Sequence, residues 1–126
     1  TIGSIDCTYK AVMTPAWLKR LRAVGTNTAV QAAGMAEFYQ QWGNQKFGTD
    51  QYPLHDPCVI GYLLRPDLFK GRNCYVTIET SSPMTMGMTV VDWWNVTKQP
   101  PNCMVLRDLD NPPFYELMLE RLSRLP

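Results

Sequence analysis

His55 and Asp56 stand side by side just before Pro57, at the end of a stretch from Gly43 to Leu54 in which Gly, Asn, Gln, Thr, Asp and Pro dominate. His55 is the only histidine of the chain. An imidazole so placed can give a proton to a leaving group near neutral pH. A carboxylate at the start of a helix can bind a hard cation while the helix dipole stabilises its charge. The same two residues have a plainer reading. Asp before proline at the first helical position is a common N-cap, and a lone histidine is often an ordinary core or surface residue. Spacing alone leaves both readings open.

Aromatic side chains form the second constellation. Phe38, Tyr39 and Trp42, with Phe47 beyond them, could stack against a planar base. Equally, Tyr39 and Trp42 could continue the apolar stripe of a helix into the core. Other candidates carry little chemistry. Asp108 and Asp110 sit in Asp-Leu-Asp-Asn-Pro, ordinary strand-to-helix turn chemistry. Met84, Met86 and Met88 alternate with Thr85, Gly87 and Thr89 as on one face of a strand. Gly-rich phosphate loops, nucleophile elbows and Cys/His pairs are lacking.

The elements that must position these residues can be read from periodicity and punctuation. Ser4 to Val12 alternates loosely and reads as a strand leading into a turn. Thr14-Pro15 opens a helix with Trp17, Leu18, Leu21 and Val24 inward and Gly25 able to end it. Thr26 or Thr28 caps a second helix, striped by Ala32, Met35, Tyr39 and Trp42 beside Ala29, Ala33 and Ala36. Gly43 to Leu54 reads as a loop. A third helix runs from Pro57 through Leu64 until Pro66 forbids its continuation. Strands are expected over Cys74–Thr80, Thr85–Trp94 and Cys103–Asp108. Asn111-Pro112 then opens a closing helix with Phe114, Leu117, Met118, Leu122 and Leu125 on one side and an exposed Glu120–Arg124 pair. Mingled helices and strands define an α/β layer structure in a single domain, 1–126.

Composition narrows the function classes. A net charge of +1 over 126 residues gives no electrostatic footprint for nucleic acid or an anionic membrane. No apolar run is long enough to span a bilayer. Cys7, Cys58, Cys74 and Cys103 are unevenly spaced, without a CxxC pair, and read as reduced, buried apolar residues of a cytoplasmic protein.

Several segments, in collinear order across essentially the whole chain, resemble the nucleoside hydrolase family. Pro53-Leu54-His55-Asp56-Pro57-Cys58 is similar to its His-Asp-Pro segment, followed by a helix ending in Leu64-Arg65-Pro66-Asp67-Leu68-Phe69. Tyr75-Val76-Thr77-Ile78-Glu79 and Gly87-Met88-Thr89-Val90-Val91-Asp92 match the strands that come next, and Ile5-Asp6-Cys7-Thr8 resembles the Leu-Asp-Val-Thr segment upstream. The resemblance implies an α/β fragment of that fold, with helices on a small mixed sheet completed by N-terminal strands outside this chain. It implies cleavage of the N-glycosidic bond of a small ribonucleoside. Asp56 then matches a ligand of a catalytic Ca²⁺, and His55 the histidine that protonates the departing base in the branch of pyrimidine-preferring and broad-specificity members. Tyr39 matches a base-contacting aromatic. Gly43 stands where some relatives carry another aromatic, a place Trp42 or Phe47 would fill.

One departure matters. The family's N-terminal aspartate cluster, which supplies the base and most calcium ligands, has no counterpart here. Asp56 alone cannot satisfy a calcium ion that takes roughly six to eight oxygens. The expectation is therefore a C-terminal portion that is inactive by itself, drawn from a cytoplasmic parent that forms a homodimer or homotetramer. Non-catalytic readings, as a nucleoside-binding module or an assembly domain, stand as the alternative.

Overall fold

The computed structural model describes residues 1–49 and 52–126, except the side chain of Phe47. Its elements run β1 (Ile2–Gly3), α1 (Ile5–Thr8), β2 (Val12–Met13), α2 (Pro15–Ala23), α3 (Asn27–Phe47), β3 (Tyr52–Pro53), α4 (Pro57–Leu64), a 3₁₀ turn over Pro66–Leu68, β4 (Phe69–Ile78), β5 (Thr89–Asp92), β6 (Cys103–Leu109) and α5 (Asn111–Ser123). Among the described residues, no helix is long and apolar enough to cross a membrane.

Four strands form a mixed sheet in the order β1-β6-β4-β5. β1 runs parallel to β6, while β4 pairs antiparallel with both β6 and β5. A second ladder joins β2 to β3, with Val12 opposite Pro53 and Met13 opposite Tyr52. The β4–β6 register shifts between Lys70 and Gly71. A Cβ at Gly71 would lie 2.2 Å from the Val105 carbonyl oxygen, so only glycine lets the two backbones approach there.

The helix boundaries follow their chemistry where that chemistry is local. Thr14 caps α2, its hydroxyl accepting from the Trp17 amide at 3.2 Å. Thr26, rather than Thr28, caps α3 in the same way through Ala29. Gly25 follows α2 with φ +79°, a left-handed conformation suited to glycine. α4 stops before Pro66, and the expected Glu120–Arg124 ion pair forms on α5.

Three readings need correction. Residues 4–12 are not one strand but a single capped helical turn between two short strands. Ser4 explains it: its hydroxyl accepts from Cys7 N and donates to Leu106 O at 2.7 Å, which fixes the turn onto β6. α3 continues to Phe47, beyond the expected loop start at Gly43, and ends at Gly48 with φ +68°. The segment Thr85–Met88 is not strand, so the methionines do not share a strand face. Met84 and Met86 occupy the exposed turn that joins β4 to β5, and Gly87 closes it with φ +83°.

That turn is held by Glu79, whose carboxylate accepts from the amides of Ser81 and Ser82 and from the Ser81 hydroxyl. These bonds, led by the Ser81 hydroxyl, hold the Glu79 carboxyl down to about 2 against an ordinary 4.5. A depressed folded value means the contribution to turn order is complete above the ordinary value and shrinks as pH falls. The Ser81 and Ser82 amide resonances should therefore shift between about pH 4.5 and 2, and Glu79→Gln should abolish that transition.

The core joins Phe69, Leu106 and Leu109 of the sheet to residues from all five helices. Phe114, Met13, Leu21 and Cys7 are its largest fully buried side chains. Trp17 donates from Nε1 to Tyr115 O at 3.0 Å, and the buried Tyr115 hydroxyl donates to Ala11 O at 2.7 Å. The inner stripe of α3 is made by Ala29 and Ala33, with Ala32, Ala36 and Tyr39 beside them, while Met35 and Phe38 face solvent. Small side chains bring α3 close to α2, and that leaves Met35 outside the contact. Burial pushes the Cys58 thiol up to about 12 and Cys7 to about 11, so neither is a thiolate at neutral pH.

Candidate active site

The β2–β3 ladder determines where His55 goes. It continues through a Leu54 N–H to Ala11 O bond of 3.0 Å, which lays residues 52–54 alongside the segment leaving α1. His55 is thereby delivered to Thr8 and Tyr9. Its Nδ1 lies 2.7 Å from the Thr8 hydroxyl, and its ring meets Tyr9 edge-on at 5.1 Å and 89°.

Tyr52 is held from the other side by α3. A Cβ at Gly43 would fall 2.0 Å from the Tyr52 ring, so the ring is seated in the space that glycine leaves on the helix. Tyr39, one turn earlier, and Trp42, the residue before Gly43, stack on each other at 6.1 Å and 15°. Tyr52 packs against both, at 4.9 Å and 6.3 Å. Tyr39 and Trp42 are therefore neither wholly buried nor free of packing. They pack against Tyr52, and they also line an open cleft.

That cleft has a volume of about 490 Å³ and is lined by Tyr9, Tyr39, Trp42, Tyr52 and His55, among others. Its size falls in the range of small-molecule sites. A smaller neighbour of about 280 Å³ is bounded by Tyr39, Leu54, His55, Asp56 and Pro57, so Tyr39 and His55 border both. Tyr39, Trp42 and His55 are thus brought together, with Asp56 at the adjoining edge. Phe47 was expected to join them, but its side chain lies outside the described part. Phe38 points away into solvent.

Asp56 occupies the N-cap position of α4 but makes no side-chain capping hydrogen bond. The plain cap reading therefore does not explain it. Its carboxylate is exposed at a helix N-terminus, where negative charge is stabilised. Among the described residues, however, no three His, Cys, Asp or Glu side chains gather as a metal site. The residues described here do not by themselves fit a calcium ion.

Thr8, Tyr9 and Tyr52 were missed as site residues. Thr8 and Tyr9 are consecutive, and on a strand they would point to opposite faces. The helical turn α1 lets both reach one imidazole. The close seat of Tyr52 on Gly43 depends on a tertiary approach that no local pattern encodes.

The fold class, then, is an α/β layer structure with an aromatic cleft, a histidine at its end and a carboxylate beside it. The family model for inosine-uridine preferring nucleoside hydrolases matches residues 1–116, and the chain belongs to that family. A protein of Schizosaccharomyces pombe with no assigned activity is 41% identical over 97% of this chain and 39% of its own length. The pyrimidine-specific ribonucleoside hydrolase RihA of Klebsiella pneumoniae is 36% identical over 97% of this chain and 40% of its own. Among solved structures, the purine-preferring ribonucleoside hydrolase of Gardnerella vaginalis superposes with a TM-score of 0.80 at 22% identity, covering 95% of this chain and 38% of that one. A plant nucleoside hydrolase gives 0.79 at 20% identity, covering 96% and 40%. At those identities the structural likeness speaks for the fold. The chain spans about two fifths of the length of these relatives.

Proposed function

We propose that this chain forms the base-facing wall of a ribonucleoside hydrolase active site, which releases ribose and a free base from pyrimidine ribonucleosides in preference to purine ones. The observation that carries the reading is the convergence of the Tyr39–Trp42 aromatic face on an imidazole already held through Nδ1. The planar base lies against that face. His55 gives its proton to the base as the C1′–N bond breaks and its electron pair leaves with the base. Water then adds at C1′. Its proton goes to a carboxylate that this chain does not contain.

Asp56 would provide one carboxylate toward a Ca²⁺ ion, whose chemistry when bound would be Lewis-acid polarisation of water. Its remaining ligands, like the water-activating base, would come from outside this chain. The parent is a cytoplasmic homodimer or homotetramer, and the isolated chain releases no ribose. The family match supports the reaction, and the identity to RihA supports the pyrimidine preference.

Steady-state kinetics on the product of the full-length gene test the preference. Uridine and cytidine should give higher kcat/KM than inosine. A higher value for inosine would overturn the pyrimidine assignment and leave a purine hydrolase.

A further inference from the structure

Thr8 is the one side chain that hydrogen-bonds His55 among the described residues, and the hydrolase reading gives it no role. Its surroundings are tied to the sheet by hydrogen bonds. α1 is tied to β6 by Ser4 through Leu106 O, and the Cys7 thiol donates to Asp108 O at 3.4 Å. Thr8 itself is buried. Its hydroxyl has one proton to give and two partners within range, His55 Nδ1 at 2.7 Å and Ile5 O at 3.4 Å. Ile5 O can only accept, whereas Nδ1 can also donate, so with the hydroxyl proton on Ile5 O and an Nδ1–H donating to the Thr8 oxygen both contacts are satisfied.

We propose that Thr8 is the positioning residue of His55: its oxygen accepts from Nδ1–H, so that the imidazolium gives its Nε2 proton toward the cleft and is left as the neutral ring protonated on Nδ1. This rests on the reading of His55 as proton donor. Without the bond, the neutral imidazole left after transfer divides between two tautomers, only one of which keeps its proton on Nδ1 and leaves Nε2 open to the cleft. Tyr9, edge-on to the ring, limits its rotation from a second side. The acid is thus set up by a hydroxyl 47 residues away in sequence, through a helical turn anchored on the central sheet.

The single histidine makes the test direct, because long-range ¹H–¹⁵N spectra of this chain contain one imidazole. At an alkaline pH where imidazole is neutral, wild type should show Nδ1 as the protonated nitrogen and Nε2 as the unprotonated one. Thr8→Val should move both nitrogens toward the averaged shifts of mixed tautomers, and Thr8→Ser should restore the wild-type pattern. A proton found on Nε2 in neutral wild type, or unchanged shifts in Thr8→Val, would overturn the proposal whether or not any variant is destabilised. In the full-length protein, Thr8→Val should lower kcat for ribose release about tenfold, part of the roughly 10²–10⁴-fold that acid catalysis supplies, with KM nearly constant. If ribose is never released by wild type, the hydrolase reading fails while the spectra still decide the role of Thr8. If ribose is released and kcat ignores Thr8→Val, the positioning role fails alone.

Discussion

His55→Ala in the full-length protein should lower kcat for ribose release by about 10²–10⁴-fold, the usual contribution of a positioned general acid. The physical demand comes from the leaving group. A base departing with the electron pair of the glycosidic bond gains charge as the bond breaks, and a proton delivered in that step relieves it. His55 is the only imidazole in the chain. Its Nδ1 is taken by Thr8, and its ring borders the cleft with Tyr39 and Trp42. KM should change much less than kcat, because the aromatic face that holds the base remains. A large rise in KM with kcat unchanged would instead make His55 a binding residue. His55→Ala deletes a half-buried side chain next to Thr8, so thermal unfolding of the variant should accompany the kinetics and show only a small change.

Phe114→Ala should destabilise the chain by about 3–5 kcal/mol, the range for removing a fully buried phenylalanine. Phe114 is 0% exposed and meets Phe69 and Tyr115 edge-on at 6.2 Å and 5.3 Å. Its Cε2 lies 2.5 Å from where a Cβ on Gly61 would stand, so α4 rests directly on the ring. Alanine would leave a cavity between α4, β4 and α5 that the rigid β4–β6 pairing cannot collapse to fill. Typical domains hold about 5–15 kcal/mol in all, so such a loss removes much of the stability. The urea midpoint should fall sharply with an unchanged m-value. The consequence reaches the site, since His55 and Asp56 immediately precede α4.

Much of this arrangement was legible from residue types, and the exceptions have physical causes. Thr14-Pro15, Gly25, Pro66 and Asn111-Pro112 place helix ends because caps and proline act within one turn. The α/β class followed from the mingling of elements. Gly43, Asn44 and Gln45 read as loop, yet α3 runs through them because Tyr52 packs onto the helix exactly where glycine makes room. β4 starts at Phe69, before the alternation visible from Cys74, because the register shift at Lys70/Gly71 breaks the period of two. In the site, His55 and Asp56 were singled out by type and position. The resemblance to known hydrolases tied Tyr39 to them across 16 residues. Thr8 stayed hidden because loose alternation over Ser4–Val12 looks like a strand, whereas the Ser4 cap and its bond to Leu106 O make a helical turn.

The most direct measurement is detection of ribose and free uracil from uridine by the full-length gene product, with calcium present and again after chelation. The account predicts both products in equal amounts with calcium, their loss on chelation, and strong suppression by Asp56→Asn. Absence of ribose from every nucleoside offered with calcium would contradict it, and full activity of Asp56→Asn would remove this chain from the metal site.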